Sequence, residues 1–144
     1  MLTINKELNQ MKDIIFDNFQ DVVNESLLRH KSILDIITKL QESNARINRS
    51  IAKSVTNCGC IKISAEKQQL PYEKENIDIN SLENCLKTHL KGKLCNNCRE
   101  IIASEIGNNL FYLASLCNSL DLNLYDILLK EYDKITTLGK YSFR

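Results

Sequence analysis

Apolar residues recur every three or four positions over the first part of this chain, which is the spacing of one face of an α-helix. The first such stretch covers residues 5–28, and the second runs from a candidate N-cap at Ser32 to Val55. Their apolar positions are Leu8, Met11, Ile15, Phe19, Val22 and Val23, followed by Ile33, Ile36, Ile37, Leu40, Ile47 and Ile51. The pattern therefore predicts two long helices.

The helical pattern stops between residues 57 and 80. The alternation of Ile61 and Ile63 is compatible with a short extended piece, while Pro71 and the charged run at residues 73–75 indicate a surface loop. No segment of the chain has the longer alternation that would predict a convincing strand.

Helical spacing returns in the C-terminal half. Ser81–Leu90 is predicted to be a short helix, with its leucines on one face. A long helix is predicted from a cap at Asn96 or Asn97 to about Leu120, and a last helix from Leu124 to Ile135. The predicted core positions of the long helix are Ile101, Ile102, Ile106, Leu110, Leu113 and Leu116.

These elements predict an all-α fold, a helical bundle of four long helices plus one short helix. We expect a single helical domain over residues 1–144, with a cysteine-containing insertion at residues 57–94. Few tight turns are available to an all-β fold, because the chain has four Gly and one Pro.

Composition narrows the function classes. Lys and Arg total 19 against 18 Asp and Glu, and this near balance makes nucleic acid an unlikely partner and argues against an anionic membrane surface. No signal peptide or membrane-spanning segment is recognisable, so we expect a cytoplasmic protein with no membrane association.

The six cysteines carry the strongest chemical signal. Cys58 and Cys60 are separated by one glycine, and Cys95 and Cys98 by two residues, so each pair can chelate one ion. Two such pairs suit a structural Zn²⁺ site that would clamp the 57–94 insertion. Unpaired thiols, a redox pair at Cys95 and Cys98, and an iron–sulfur cluster are the alternatives.

Other cysteines and histidines receive different interpretations. Cys85 and His89 lie four residues apart on the predicted short helix, where they are possible substitute ligands. Cys117 lies within the apolar C-terminal helix and is predicted to be a core residue.

The segment from Glu105 to Ala114, followed by Leu120–Lys130, resembles the MazG-like all-α nucleotide pyrophosphohydrolases. In that family a Glu-x-x-Asp on this helix joins a Glu-Glu-x-x-Glu on the preceding long helix, and the carboxylates bind Mg²⁺. Here Glu105 matches the first carboxylate, Asn108 replaces the Asp, and Glu42 is the one carboxylate kept on the second helix. The resemblance implies a possible second metal site at Glu42, Glu105 and Asn108, which would take Mg²⁺.

Two further inferences concern partners. Arg46, Arg49 and Lys53 follow one face of the second helix and form a possible phosphate-binding stripe. The MazG-like resemblance also implies a homodimer, which agrees with the apolar character of residues 101–116. The Thr56–Cys60 segment is similar to that of a group of short proteins from low-GC Gram-positive bacteria, and this second resemblance implies no activity.

The sequence thus favours a non-catalytic, zinc-stabilised helical binding or regulatory module whose partner is a nucleotide or a protein. Two alternatives remain open: a metal-dependent nucleoside triphosphate pyrophosphohydrolase with a reduced carboxylate site, and a cysteine-based redox sensor.

Overall fold

The described part of the chain is mostly helical, which confirms the predicted all-α class. The computed structural model describes residues 2–70 and 79–139, with side chains over residues 14–70 and 80–139. It contains a two-stranded antiparallel sheet and the helices α1 (Leu2–Ser26), α2 (Ile33–Lys53), α3 (Ile79–Cys85), α4 (Asn96–Ser119) and α5 (Leu124–Leu138). The strands are β1 (Ile61–Ile63) and β2 (Leu90–Gly92), and a π-helical turn, Ser54–Cys58, follows α2.

The chain divides into two compact units. The first, which we call the helical unit, comprises Met1–Ile47 and Ala103–Arg144; the second, the cysteine unit, is Asn48–Ile102. Helices α2 and α4 contribute residues to both. The 57–94 insertion lies within the cysteine unit, and its description as an insertion in a single domain stays a prediction.

The helical unit has a small cluster of buried residues. It consists of Val23, Ala114, Cys117 and Leu124, with aromatic and leucine side chains packed around them from Phe16, Phe19, Phe111 and Leu113. Ile36 of α2 is also fully buried. Cys117 is 4% exposed, as its predicted core position requires, and burial raises the pKa of its thiol.

A buried glutamine fixes the first helix against the α4–α5 turn. The side-chain amide of Gln20 donates to Asn118 Oδ1 at 2.9 Å and to the Leu122 carbonyl at 3.0 Å, and its Oε1 accepts from the Leu124 amide at 2.6 Å. These bonds satisfy the polar atoms of a side chain that is only 7% exposed. Asn123 then caps α5, because its side chain accepts from the Asp126 amide.

Many apolar positions stay accessible. Ile102 is buried, but the predicted core residues Ile101, Ile106 and Leu110 are between 45% and 47% exposed. Their assignment to the core is therefore wrong for the single chain. Helix α4 carries apolar residues on more faces than its neighbours within the chain cover.

The prediction of a helix over Ser81–Leu90 is wrong at its C-terminal end. Helix α3 ends at Cys85, and Leu90 begins β2. The backbone from residue 89 onward instead pairs with the segment after Cys60: Ile61 lies opposite Gly92, and the Ser64 amide donates to the His89 carbonyl at 2.8 Å. The strand pair confirms the short extended piece expected at Ile61 and Ile63, and it adds a second short strand, β2, that was not predicted.

One other predicted feature, the surface loop around Pro71 and residues 73–75, lies outside the described residues.

Candidate metal centre

The first cysteine pair is positioned by the end of α2. The helix widens into the π-helical turn Ser54–Cys58, and Gly59 then adopts a left-handed conformation with φ of 72°. Its amide donates to the Ser54 carbonyl at 2.9 Å, which closes the turn. Glycine suits this position because a side chain would strain a left-handed residue. The reversal places Cys60 directly before β1, close in the chain to Cys58.

The second pair is positioned by the start of α4. Cys95 precedes the first helical residue, and its Sγ accepts from the Cys98 amide at 3.5 Å, as an N-cap side chain does. The predicted caps, Asn96 and Asn97, lie inside the helix instead. The helix N-terminus favours negative charge, so a thiolate at this position is stabilised.

The four predicted ligands come together. The sulfur atoms of Cys58, Cys60, Cys95 and Cys98 all lie within 4.8 Å of one another, and the Cys58 and Cys95 sulfurs are 3.7 Å apart. Among the described residues this is the one group of three or more Cys, His, Asp or Glu side chains arranged to hold a metal ion. All six cysteines of the chain are free thiols.

Burial differs across the cluster. Cys58 is exposed, Cys60 and Cys95 are partly buried, and Cys98 is 8% exposed. Three of the thiols are therefore near solvent or partly covered, and the fourth lies in the protein interior. An ion can reach the group from the Cys58 side.

The pKa values of the Cys95 and Cys58 thiols are shifted in opposite directions. The Cys98 amide, followed by the Cys98 and Cys58 side chains, lowers the pKa of Cys95 to about 7. The Cys60 amide lowers the pKa of Cys58, but hydrogen bonds with the Cys95, Cys98 and Cys60 thiols outweigh it and raise that pKa to about 12. Cys95 is therefore the first of the two to become a thiolate, the form that binds metal.

The strands β1 and β2 pair with each other although residues 64–89 separate them in the chain, and we call this strand pair the hairpin. It keeps the first cysteine pair close to the second. The pairing depends on Gly92, a residue that sequence reasoning did not select. Gly92 has a φ of 85°, and a Cβ built there would lie 2.6 Å from the Cys60 carbonyl oxygen. The backbones before and after the hairpin therefore approach too closely for a side chain. In the sequence Gly92 stands between two lysines directly after the predicted short helix, where a glycine indicates the end of a helix rather than a close backbone approach.

The possible substitute ligands are not part of the cluster. Cys85 ends α3, and His89 precedes β2 with a φ of 59°. The metal-holding group contains neither of them. Their predicted spacing of one helical turn does not exist, because the helix has ended before His89.

The carboxylates of the possible second metal site are engaged in ion pairs. Glu105 accepts two hydrogen bonds of 2.9 Å from the Arg46 guanidinium, which lowers the Glu105 pKa. Glu42 pairs with Lys39 at 2.7 Å, and this contact lowers the Glu42 pKa. Asn108 is exposed on α4. Metal binding at these three residues stays a prediction.

The Glu105 ion pair also changes the interpretation of the basic stripe. Arg46 is held by Glu105 in a bidentate contact, which a phosphate at Arg46 would have to displace. Arg49 and Lys53 are exposed. Phosphate binding by these three residues stays a prediction.

Comparison with protein-family models, with curated proteins and with solved structures found no match. No helix in the described part of the chain is long and apolar enough to cross a membrane.

Proposed function

We propose that the protein is a non-catalytic helical module whose cysteine unit is stabilised by one structural Zn²⁺ ion. The observation that carries the proposal is the sulfur geometry. A Zn–S bond of about 2.3 Å places the ligands of a tetrahedral site about 3.8 Å apart. The Cys58–Cys95 distance of 3.7 Å fits such an edge, and no sulfur pair exceeds 4.8 Å.

The donor set favours zinc over harder ions. Four thiolates are soft ligands, whereas Mg²⁺ and Ca²⁺ prefer oxygen. A closed set of four protein ligands leaves no open position for water or substrate, which is typical of structural rather than catalytic zinc. Elemental analysis of protein purified without added metal is expected to find one zinc per chain.

The ion pairs of the helical unit support a non-catalytic module. A Mg²⁺-dependent hydrolase needs carboxylates free to coordinate the ion and orient water. In this chain Glu105 is bound to Arg46 and Glu42 to Lys39. A pyrophosphohydrolase would first have to break both contacts.

We expect no hydrolysis above background when the protein is incubated with each nucleoside triphosphate and Mg²⁺ or Mn²⁺, with pyrophosphate release as the measurement. Arg46→Ala serves as the matched variant, because it frees Glu105 without removing a carboxylate. Robust turnover by the unmodified chain that Glu105→Gln abolishes would contradict the proposal and favour the MazG-like alternative.

We also propose that the module is a homodimer. The support is apolar surface on α5, where Leu128, Tyr132 and Ile135 follow one another at helical spacing and are 47%, 62% and 47% exposed. Contiguous apolar surface of this kind is typical of protein contacts. A second copy would bury it through an isologous interface.

Light scattering after size exclusion is expected to give twice the mass of one 16.6 kDa chain. Tyr132→Glu is expected to shift the mass toward the monomer, because it places a charge on the apolar stripe. Lys130→Glu on the same helix is the control and is expected to leave the mass unchanged. A monomer at high micromolar concentration would exclude the dimer.

A further inference from the structure

The register of the β1–β2 hairpin places two lysines side by side. Lys62 lies directly opposite Lys91, and the flanking pairs are Ile61 with Gly92 and Ile63 with Leu90. Directly opposed residues of an antiparallel pair have Cβ atoms about 5 Å apart and point to the same face. Because Ile61 is buried, the face that carries the two lysines is the one turned away from the side chain of Ile61.

Neither lysine has an ion-pair partner among the described residues. Four residues further along, between the end of β1 and the start of β2, Glu66 contacts Lys87 at 2.7 Å, so an opposite-charge contact does form next to the strand pair. The Lys87 hydrogen bond is the main cause of the lowered pKa of Glu66, with smaller contributions from His89 and Lys91. This carboxylate therefore lies near two lysines, Lys87 and Lys91.

The positive charge is a property of the whole cysteine unit. Residues 48–102 contain nine Lys or Arg and six Asp or Glu, whereas the complete chain has a net charge of +1. The near-neutral total, which argued against polyanionic partners, therefore hides an uneven distribution. The remainder of the chain is the acidic part.

Like charges directly opposite one another destabilise a strand pair. The hairpin nevertheless holds Lys62 and Lys91 on a well-fixed backbone, since Ile61 is 4% exposed and Gly92 lies against the Cys60 carbonyl. Two ammonium groups in this position supply only hydrogen-bond donors. A dianionic or polyanionic ligand would remove the repulsion by binding between them.

We propose that Lys62 and Lys91 form a phosphate-binding clamp on the exposed face of the hairpin, with Lys93 extending it beyond the end of β2. Phosphate is the ligand class that suits the clamp, because its oxygens accept hydrogen bonds from both ammonium groups and its charge balances theirs. The phosphates belong either to a single-stranded nucleic acid or to a free polyphosphate. The clamp requires the folded hairpin but no catalytic activity.

A purely structural role makes a different prediction. A zinc ion bound to four thiolates has a formal charge of −2, and nearby lysines could serve only to balance it. Charge reversal of the lysines would then weaken zinc retention. A phosphate clamp instead predicts that charge reversal weakens anion binding while the zinc content stays constant.

The test measures binding of a fluorescein-labelled twelve-nucleotide deoxythymidine strand to the zinc-loaded protein, with unlabelled tripolyphosphate as competitor. The variants are Lys62→Glu and Lys62→Glu/Lys91→Glu. The control, Lys31→Glu/Lys130→Glu, makes the same change in net charge at exposed positions of the helical unit. Zinc content and amide exchange of β1 and β2 are measured on every variant.

We expect the double variant to bind the strand at least about tenfold more weakly. We also expect the slope of log affinity against log salt concentration to become about 1.4 less negative, because two phosphate contacts are lost. Lys62→Glu should bind more weakly yet slow amide exchange in the hairpin, because it converts a like-charge pair into an opposite-charge pair. If the strand binds more strongly than tripolyphosphate, the bound phosphates belong to nucleic acid. If tripolyphosphate binds more strongly, the ligand is a free polyphosphate.

The proposal is overturned if neither probe binds, if the control loses as much affinity as the double variant, or if charge reversal lowers the zinc content. A failed zinc measurement on the unmodified protein is a separate result. It would refute the structural zinc site, and the phosphate clamp would then be tested by binding of the labelled deoxythymidine strand alone.

Discussion

Removal of the metal is expected to unfold the cysteine unit and to leave the core of the helical unit folded. The four clustered cysteines lie in two chain segments, Cys58 with Cys60 and Cys95 with Cys98, and the proposed zinc ion would be the strongest link between the segments. Without it, the described part of the unit retains a three-residue strand pair and few fully buried side chains, chiefly Ser54, Ile61 and Ile102. Apolar burial of this extent offsets little of the entropy of ordering the unit.

The expected effect is large. Structural zinc contributes on the order of 10 kcal/mol to folding in isolated zinc-finger peptides. The helical unit has its own core around Val23, Ala114 and Cys117, so its stability does not depend on the ligands. Chelation should therefore raise amide exchange across residues 48–70 and 79–102, and leave α5 and the centre of α4 protected.

Hydrogen exchange with mass spectrometry before and after chelation measures this directly. Cys95→Ser should reproduce the chelated pattern, because it removes a ligand, while the serine hydroxyl can still accept the Cys98 amide and cap α4. Cys85→Ser is the matched control, since Cys85 lies in the same unit but outside the cluster. Unchanged protection of the cysteine unit after complete zinc removal would show that the cysteines do not hold it together.

Sequence reasoning located the four clustered cysteines because chelating pairs are local. The spacing of Cys58 and Cys60, and of Cys95 and Cys98, is visible without knowledge of the fold. The helices were also accessible, since the 3.6-residue period is a local signal. The start of α4 was predicted within one or two residues, although the cap is the Cys95 sulfur rather than an asparagine.

The hairpin could not be predicted from local patterns in the same way. The spacing of Leu82, Leu86 and Leu90 favours a helix, and the residues that prevent it are distant in the chain. The Gln68 side chain accepts from the Lys87 amide and donates to the Lys87 carbonyl, at 3.0 and 2.8 Å. Such pairing between segments about twenty residues apart overrides local propensity.

The remaining differences between the predictions and the structure arise because the sequence does not show which residues contact one another in the fold. The sequence shows that Arg46 and Glu105 are charged, but only the fold shows that each is the other's partner across 59 residues. The exposure of Ile106 and Leu110 is a similar case. A helical period identifies apolar positions and does not identify which neighbours within the chain cover them.

Gly92→Ala is expected to destabilise the cysteine unit by about 2–4 kcal/mol and to weaken its hold on zinc. Two effects add at this position. The left-handed conformation, with φ of 85°, costs a residue with a Cβ about 1–2 kcal/mol. The new Cβ would also lie 2.6 Å from the Cys60 carbonyl oxygen, so the backbone that carries a metal ligand has to move.

Two other glycines separate these effects. Gly59 has a φ of 72° with nothing within 4 Å of a built Cβ, so Gly59→Ala should show the conformational cost alone. Gly107 lies inside α4 with open space around it, and Gly107→Ala should stabilise the helix by up to about 1 kcal/mol. Urea unfolding of the three zinc-loaded variants, with competition for zinc by a chromogenic chelator, measures both quantities. Equal losses for Gly92→Ala and Gly59→Ala would show that the close approach to Cys60 contributes nothing, and that the hairpin does not set the position of the first cysteine pair.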